Sequence, residues 1–241
     1  MRTAAYTSFR ADYIGKEAHA AAAPWEGINA LDALIIAYNG LSVLRQQTQP
    51  GDIIQGNITH GGLKPNIIHA HAAGQFVVRS STRTRREALL ARVHQCFRAG
   101  ALATGAMLTL TPTGSYDDHV PNRALGARYR EHFNALGGSI ESPELDWEHG
   151  VSGASTDQGD ISYAVPSLSP GFWVRSEDGE GRQRGGPHTP DFAGAARSCE
   201  AHVAALTVGK ALAAVAVDVL TVEGLLDKVK SEFEEMKKGT Q

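Results

Sequence analysis

Between residues 8 and 112 the apolar positions switch repeatedly between strand and helix spacing, and that succession leaves few folds open. Over 8–15, Phe9, Ala11 and Tyr13 alternate with Ser8, Arg10 and Asp12, the period-two pattern of a half-buried strand. Ile28, Leu31, Ile35 and Tyr38 then recur at helical spacing from about Gly27 to Gln47. Leu34, Leu41 and Leu44 widen the stripe until Pro50-Gly51 stops it. Asp52–Thr59 predicts a strand, broken by Gly61-Gly62 and Pro65. Gly74–Arg79 predicts another, with Phe76 and Val78 on one face and Val77 and Arg79 on the other. A helix is expected from Thr84 to about Ala103, with Leu89, Val93 and Phe97 on its stripe, and a last strand over Met107–Pro112. The order β-α-β-β-α-β is a split-βαβ, ferredoxin-like layer.

Gly114 and Ser115 mark a boundary, dividing the chain into 8–113 and 114–241. The second part predicts a helix near Asn122–Leu136 and a glycine- and proline-rich stretch over 137–190 with short strands. A long alanine-rich helix from Asp191 to Leu220 and a charged amphipathic tail over Glu223–Lys238 follow. The expected class is therefore α/β (α+β), with the second part a partial α/β domain. A net charge of -3 over 241 residues gives no electrostatic attraction to nucleic acid or an anionic membrane. The same β-α-β-β-α-β order serves RNA-recognition domains, but Gly74–Arg79 carries one aromatic where a stacking platform needs several. No run of about 18 consecutive apolar residues suggests a membrane span, and Met1–Tyr13 lacks the apolar core of a secretory signal. Cys96 and Cys199 read as buried thiols, so a reducing, cytoplasmic setting is expected.

Four segments carry chemistry. In Gly15-Lys-Glu-Ala-His19-Ala-Ala-Ala-Ala-Pro24, a strand end hands a histidine to an alanine-walled loop. An imidazole there is able to donate to an oxyanion or accept a proton, or simply to satisfy a local hydrogen bond. Gly61-Gly62-Leu63-Lys64-Pro65-Asn66 precedes Arg79, whose planar fork suits a carboxylate with Asn66 adding an amide; a hairpin turn and a surface arginine are the plainer reading. Gly153-Ala154-Ser155-Thr156-Asp157 offers hydroxyls and an acid to a substrate terminus or a cation, or caps a short helix. Gly185-Gly186-Pro187-His188-Thr189-Pro190 puts a histidine in a rigid turn before a helix, compatible with a metal ligand but not specifying one.

Taken together, GKEAHAAAAPWEGINALDA, GGLKPNII, GASTDQGDISYAVPSLSP and GGPHTPDF resemble, in order and spacing, the second half of peptidase family M-20, the aminoacylase and carboxypeptidase-type dizinc hydrolases. The resemblance, most marked toward a dipeptidase branch, covers about residues 8–235 and implies a hydrolase of dipeptides or N-acyl amino acids. It implies two zinc ions, and a lid domain, here 8–113, that also forms a homodimer. His19 then matches the lid histidine that reaches a substrate carbonyl, commonly in the partner subunit's site. Asn66 and Arg79 match positions that hold the substrate carboxylate, Ser155, Thr156 and Asp157 the loop facing the substrate, and His188 the last zinc ligand. Two departures stand out. His69 follows Asn66-Ile67-Ile68 where many members have proline, and no His-x-Asp pair occurs anywhere in the chain. With only one ligand the isolated chain is expected to be inactive and not to hold zinc stably. The alternative is a non-catalytic dimerisation module or a decayed paralogue.

Overall fold

The computed structural model describes residues 1–175 and 185–239. Contacts divide the chain into two units, one of Thr3–His119 with Ser152–Asp160, the other of Met1–Arg2 with 120–151 and 161–241. The segment 152–160 thus lies with the sheet, across the boundary expected at 113/114.

The sheet unit has four strands, β1 (Ala5–Ile14), β2 (Ile53–His60), β3 (His71–Ser80) and β4 (Met107–Tyr116), and two helices, α1 (Ala30–Leu44) and α2 (Arg83–Thr104). They run in the expected β-α-β-β-α-β order, and the antiparallel sheet is ordered β2-β3-β1-β4. Alternation along β1 buries Phe9, Ala11 and Tyr13 under the helices and leaves Tyr6, Ser8, Arg10 and Asp12 half-buried on the open face. Leu34 and Leu41 of α1, Val93 and Phe97 of α2, and Phe76 and Val78 of β3 complete one core, in which the Phe76 and Phe97 rings meet edge to face at 4.7 Å. Asn29 opens α1 by accepting the Leu31 amide on Oδ1, Thr82 opens α2, and Gly105 closes α2 in the left-handed region.

The helical unit contains α3 (Arg123–Ala135), α4 (Pro143–His149), α5 (Pro190–Ala195), α6 (Cys199–Thr221) and α7 (Leu225–Gly239). Its core forms where Tyr129 of α3 meets Val208, Ala211 and Val215 of α6. Burial pushes the Tyr129 hydroxyl up to about 12. Two expectations fail here. The single helix expected from Asp191 is two helices, because Ser198 turns the chain and N-caps α6 by accepting the Ala201 amide. The short strands expected over 137–190 reduce, among the described residues, to Val151–Ser152, while Pro143–His149 and Gln158–Ala164 are helical. Ser142 caps the first of these and Pro143 suits its first position, so local capping chemistry prevails. Neither thiol is fully buried as expected: Cys96 is half-buried and Cys199, at the first turn of α6, is exposed. By length and composition α6 is apolar enough to cross a membrane, despite the charged residues that interrupt it.

Candidate functional site

The loop after β1 is tied back to the sheet unit by backbone bonds. Gly15 donates to Ala70 O at 2.8 Å, Lys16 and Ile28 exchange a pair of 2.9 Å bonds, and Ala18–His19 form a two-residue ladder with Ile67–Ile68. Gly27 is required by close approach: a Cβ there would lie 2.7 Å from the Ile68 side chain and 3.0 Å from the Ala18 Cβ. The ladder sets His19 opposite Ile67, next to Asn66, whose carbonyl accepts from Ala20 N at 3.1 Å. Both residues are exposed.

The imidazole of His19 has a fixed polarity. The backbone N–H groups of Ala21 and Ala22 donate to Nδ1 at 3.2 and 3.1 Å. In the neutral ring the proton therefore sits on Nε2, which becomes an outward-facing donor. The alanine run has a structural purpose, since small side chains let the loop curl around the ring while leaving it open.

Arg79 does not join this cluster. It lies near the end of β3, opposite Tyr6 of β1 and Ile53 of β2, while His71, eight residues back, lies opposite Ile14 beside the His19 loop. At about 3.3 Å per residue the two ends are roughly 26 Å apart. Asn66 and Arg79, expected to grip one carboxylate, stand at opposite ends of the sheet unit. Nor is the Arg79 guanidinium free. It lies 4.8 Å over the Tyr6 ring, and Nη1 donates to Gly153 O at 3.1 Å and to Ser155 Oγ at 3.0 Å. Ser155 Oγ donates onward to Ala4 O at 2.7 Å, so Arg79 and β1 together hold the 153–155 turn. Thr156 Oγ1 donates to Asp157 Oδ1 and accepts from Gln158 N, the capping role weighed for this motif, and Asp157 is exposed.

His188 belongs to the helical unit, separately from the Ser155–Asp157 turn. It is exposed and has φ 72°, alone among the described non-glycine residues in the left-handed region. Thr189 beside it caps α5 through Phe192 N and donates to Gly186 O, which fixes the turn. Among the described residues no three His, Cys, Asp or Glu side chains are grouped to hold a metal. Catalytic zinc takes three protein ligands, so these residues do not fit a zinc site by themselves.

The open face of the sheet carries a polar cluster that sequence reasoning did not single out. Arg10 grips both Asp12 oxygens at 2.7 and 2.8 Å, His71 Nε2 lies 2.9 Å from Asp12 Oδ1, and the His60 and His71 rings stack at 4.9 Å. The hydrogen bonds from Arg10, then from His71, hold the Asp12 carboxyl below the usual carboxylate range. The signal was His60 and His71 flanking the Gly-Gly-Leu-Lys-Pro-Asn turn, but only strand register brings Asp12 to them.

Residues 4–104, from just before β1 to the end of α2, match the family of M20 peptidase dimerisation domains. This part of the chain is similar to an M20 peptidase dimerisation domain. Over 92% of its length it is similar to the Xaa-Arg dipeptidases of Mus musculus, at 39% identity, and Homo sapiens, at 38%, covering 49% of each. The chain thus spans about half the length of the curated relatives it matches. An aminopeptidase structure from Bacillus cereus shares the fold at 18% identity and a TM-score of 0.56, matching 88% of this chain and 53% of that one. The sheet unit, with its His19 loop at one end and Arg79 at the other, holds the matched residues 4–104.

Proposed function

We propose that this chain is the lid-bearing half of a zinc-dependent hydrolase that cleaves amide bonds of dipeptides or N-acyl amino acids, acting as a cytoplasmic homodimer. One observation carries the proposal. His19 is exposed with Nδ1 occupied by two backbone donors, which aims an Nε2–H outward as an oxyanion donor ready for a tetrahedral intermediate. The 39% identity to an Xaa-Arg dipeptidase favours a short peptide with a basic C-terminal residue. Zinc ligands beyond His188 are assigned to the half of the relatives' length that this chain does not match.

The spacing of the lid supports the dimer. A dipeptide spans roughly 7 Å, whereas the His19–Asn66 end and Arg79 are separated by about 26 Å of strand. One substrate therefore meets both ends only across two copies, and a carboxylate reaching the Arg79 end would have to displace the Gly153 and Ser155 contacts of Arg79. In support, α1 exposes Ile35, Ile36 and Val43, and β2 is an edge strand of the sheet. The competing reading, a non-catalytic dimerisation module, draws on the lack of a metal cluster among the described residues.

The test is hydrolysis of dipeptides ending in Arg or Lys, with zinc, by the chain alone and co-expressed with the unmatched half of the mouse relative. No turnover is expected from the chain alone. Turnover is expected with the added half, and His19→Ala should cut kcat about 10²–10³-fold. Turnover indifferent to His19→Ala would discard the oxyanion role. None in either form would favour the non-catalytic module.

A further inference from the structure

Arg2 and Arg123 carry charge that the helical unit does not neutralise. Both guanidiniums lie over the Trp147 ring, 4.3 and 4.4 Å from its centroid, so one indole holds two cations. Arg2 Nη2 donates to the Trp147 carbonyl, but Arg2 Nε is buried with no partner. Burial, and then the charge of Arg123, holds the Arg2 guanidinium below its usual range. The exposed Arg123 side chain forms no hydrogen bond or ion pair among the described residues. Its backbone N–H and that of Ala124 donate to the Glu232 carboxylate of α7 at 2.5 and 2.9 Å, so the start of α3 is already capped.

The carboxylates closest to the pair are engaged elsewhere. Arg130 Nη2 donates to Asp146 Oδ2 at 3.0 Å and its Nε to Glu141 O at 2.8 Å, which clasps α4 to α3. Hydrogen bonds from its own backbone N–H and then from Ser142 hold the Glu144 carboxyl below the usual range and tie it to the start of α4. All these groups except Glu232 and Glu141 line one cavity of about 390 Å³, whose walls belong to the helical unit alone. Pro121, Pro143 and Leu168 give it an apolar side. Gly126, one turn along α3 from Arg123, keeps it open: a Cβ there would meet Leu168 Cδ1 at 3.9 Å and nothing nearer.

Two like charges on one ring, one with a buried and unused N–H, are arranged for a ligand of opposite charge. A water molecule would satisfy Arg2 Nε but would not offset the two cations. We propose that this cavity binds a small organic anion, with a carboxylate or phosphate between the Arg2 and Arg123 guanidiniums and an apolar body on Pro121, Pro143 and Leu168. The planar fork of arginine suits either oxyanion. A volume at the small end of ligand sites points to a metabolite-sized molecule. The inference uses none of the residues assigned to hydrolysis and does not rest on that reading.

The test is isothermal titration of the full chain with benzoate and with phenyl phosphate, benzyl alcohol serving as the neutral control. The indole N–H resonances of Trp25, Trp147 and Trp173 locate the ligand. Saturable binding of at least one anion is expected, with benzyl alcohol weaker by about tenfold or more. The Trp147 resonance should shift, and the other two should not. The tighter anion names the source, benzoate a carboxylate metabolite and phenyl phosphate a phosphorylated one. Arg123→Gln should weaken binding about tenfold or more, and the melting temperature should hold because that side chain is exposed. Gly126→Leu should abolish binding by filling the cavity while favouring the α3 helix. No saturable binding of either anion, equal binding of benzyl alcohol, or binding indifferent to both variants would overturn the proposal.

Discussion

Gly100→Ala and Gly209→Ala make the same chemical change in two helices and should move stability in opposite directions. In α2, a Cβ on Gly100 would lie 2.2 Å from the Ala33 carbonyl oxygen of α1 and 3.0 Å from the Tyr13 hydroxyl. Closest comfortable approach of carbon and carbonyl oxygen is about 3.3 Å, so the helices must part by roughly 1 Å. Ala33 is backbone in a helix and has no rotamer through which to yield. Tyr13 is fully buried and donates to Phe97 O at 2.7 Å, so it is held as well. Overpacking of this kind costs about 1–3 kcal/mol, and between rigid neighbours such as these it outweighs the ~1 kcal/mol that alanine gains over glycine in a helix. A net loss of up to about 2 kcal/mol from the sheet unit follows. In α6, nothing lies within 4 Å of the Cβ that Gly209 lacks, so alanine there should add up to about 1 kcal/mol to the helical unit. Amide hydrogen exchange reads each unit separately: protection of Phe76 and Val78 should fall in Gly100→Ala, and protection along α6 should rise in Gly209→Ala. Unchanged or greater protection at Phe76 and Val78 in Gly100→Ala would refute the reasoning.

Three further outcomes follow. Asp12→Asn should remove a pH-dependent contribution: with its folded-state value depressed, Asp12 stabilises above the unfolded value of about 3.9, and that contribution fades as pH falls through the lower folded value. Acid titration of unfolding should therefore show wild type about 1 kcal/mol above the variant at pH 6 and the gap closing below pH 4; parallel curves would discount the Arg10–Asp12–His71 cluster. Arg79→Ala should release the 153–155 turn, seen as faster exchange and earlier protease cleavage there while α1 and α2 stay protected. Asn29→Ala should cost about 1 kcal/mol by leaving the Leu31 amide uncapped at the start of α1, measured by urea unfolding, and Asn29→Ser should recover most of it.

The sequence by itself determined the lid. Period-two alternation over Phe9–Tyr13 and helical spacing through Leu34, Leu41, Val93 and Phe97 are local consequences of burying one face, so element order and core face could be read before any contact was known. The capping signals were local too, although Ser198 was passed over and with it the break between α5 and α6. Tertiary structure decided where the marked residues went. Asn66 and Arg79 are thirteen positions apart, but a ten-residue strand between them carries Arg79 away from the His19 loop, and spacing cannot tell a turn that returns from a strand that departs. Ser155 follows the proposed domain boundary in sequence yet packs on Arg79 and Ala4, a preference set by two hydrogen bonds between segments far apart in the chain. The tautomer of His19 depends on how Ala21 and Ala22 fold back onto Nδ1. Patterns with a short period were legible because the backbone enforces them locally; placements that depend on long-range contacts were not.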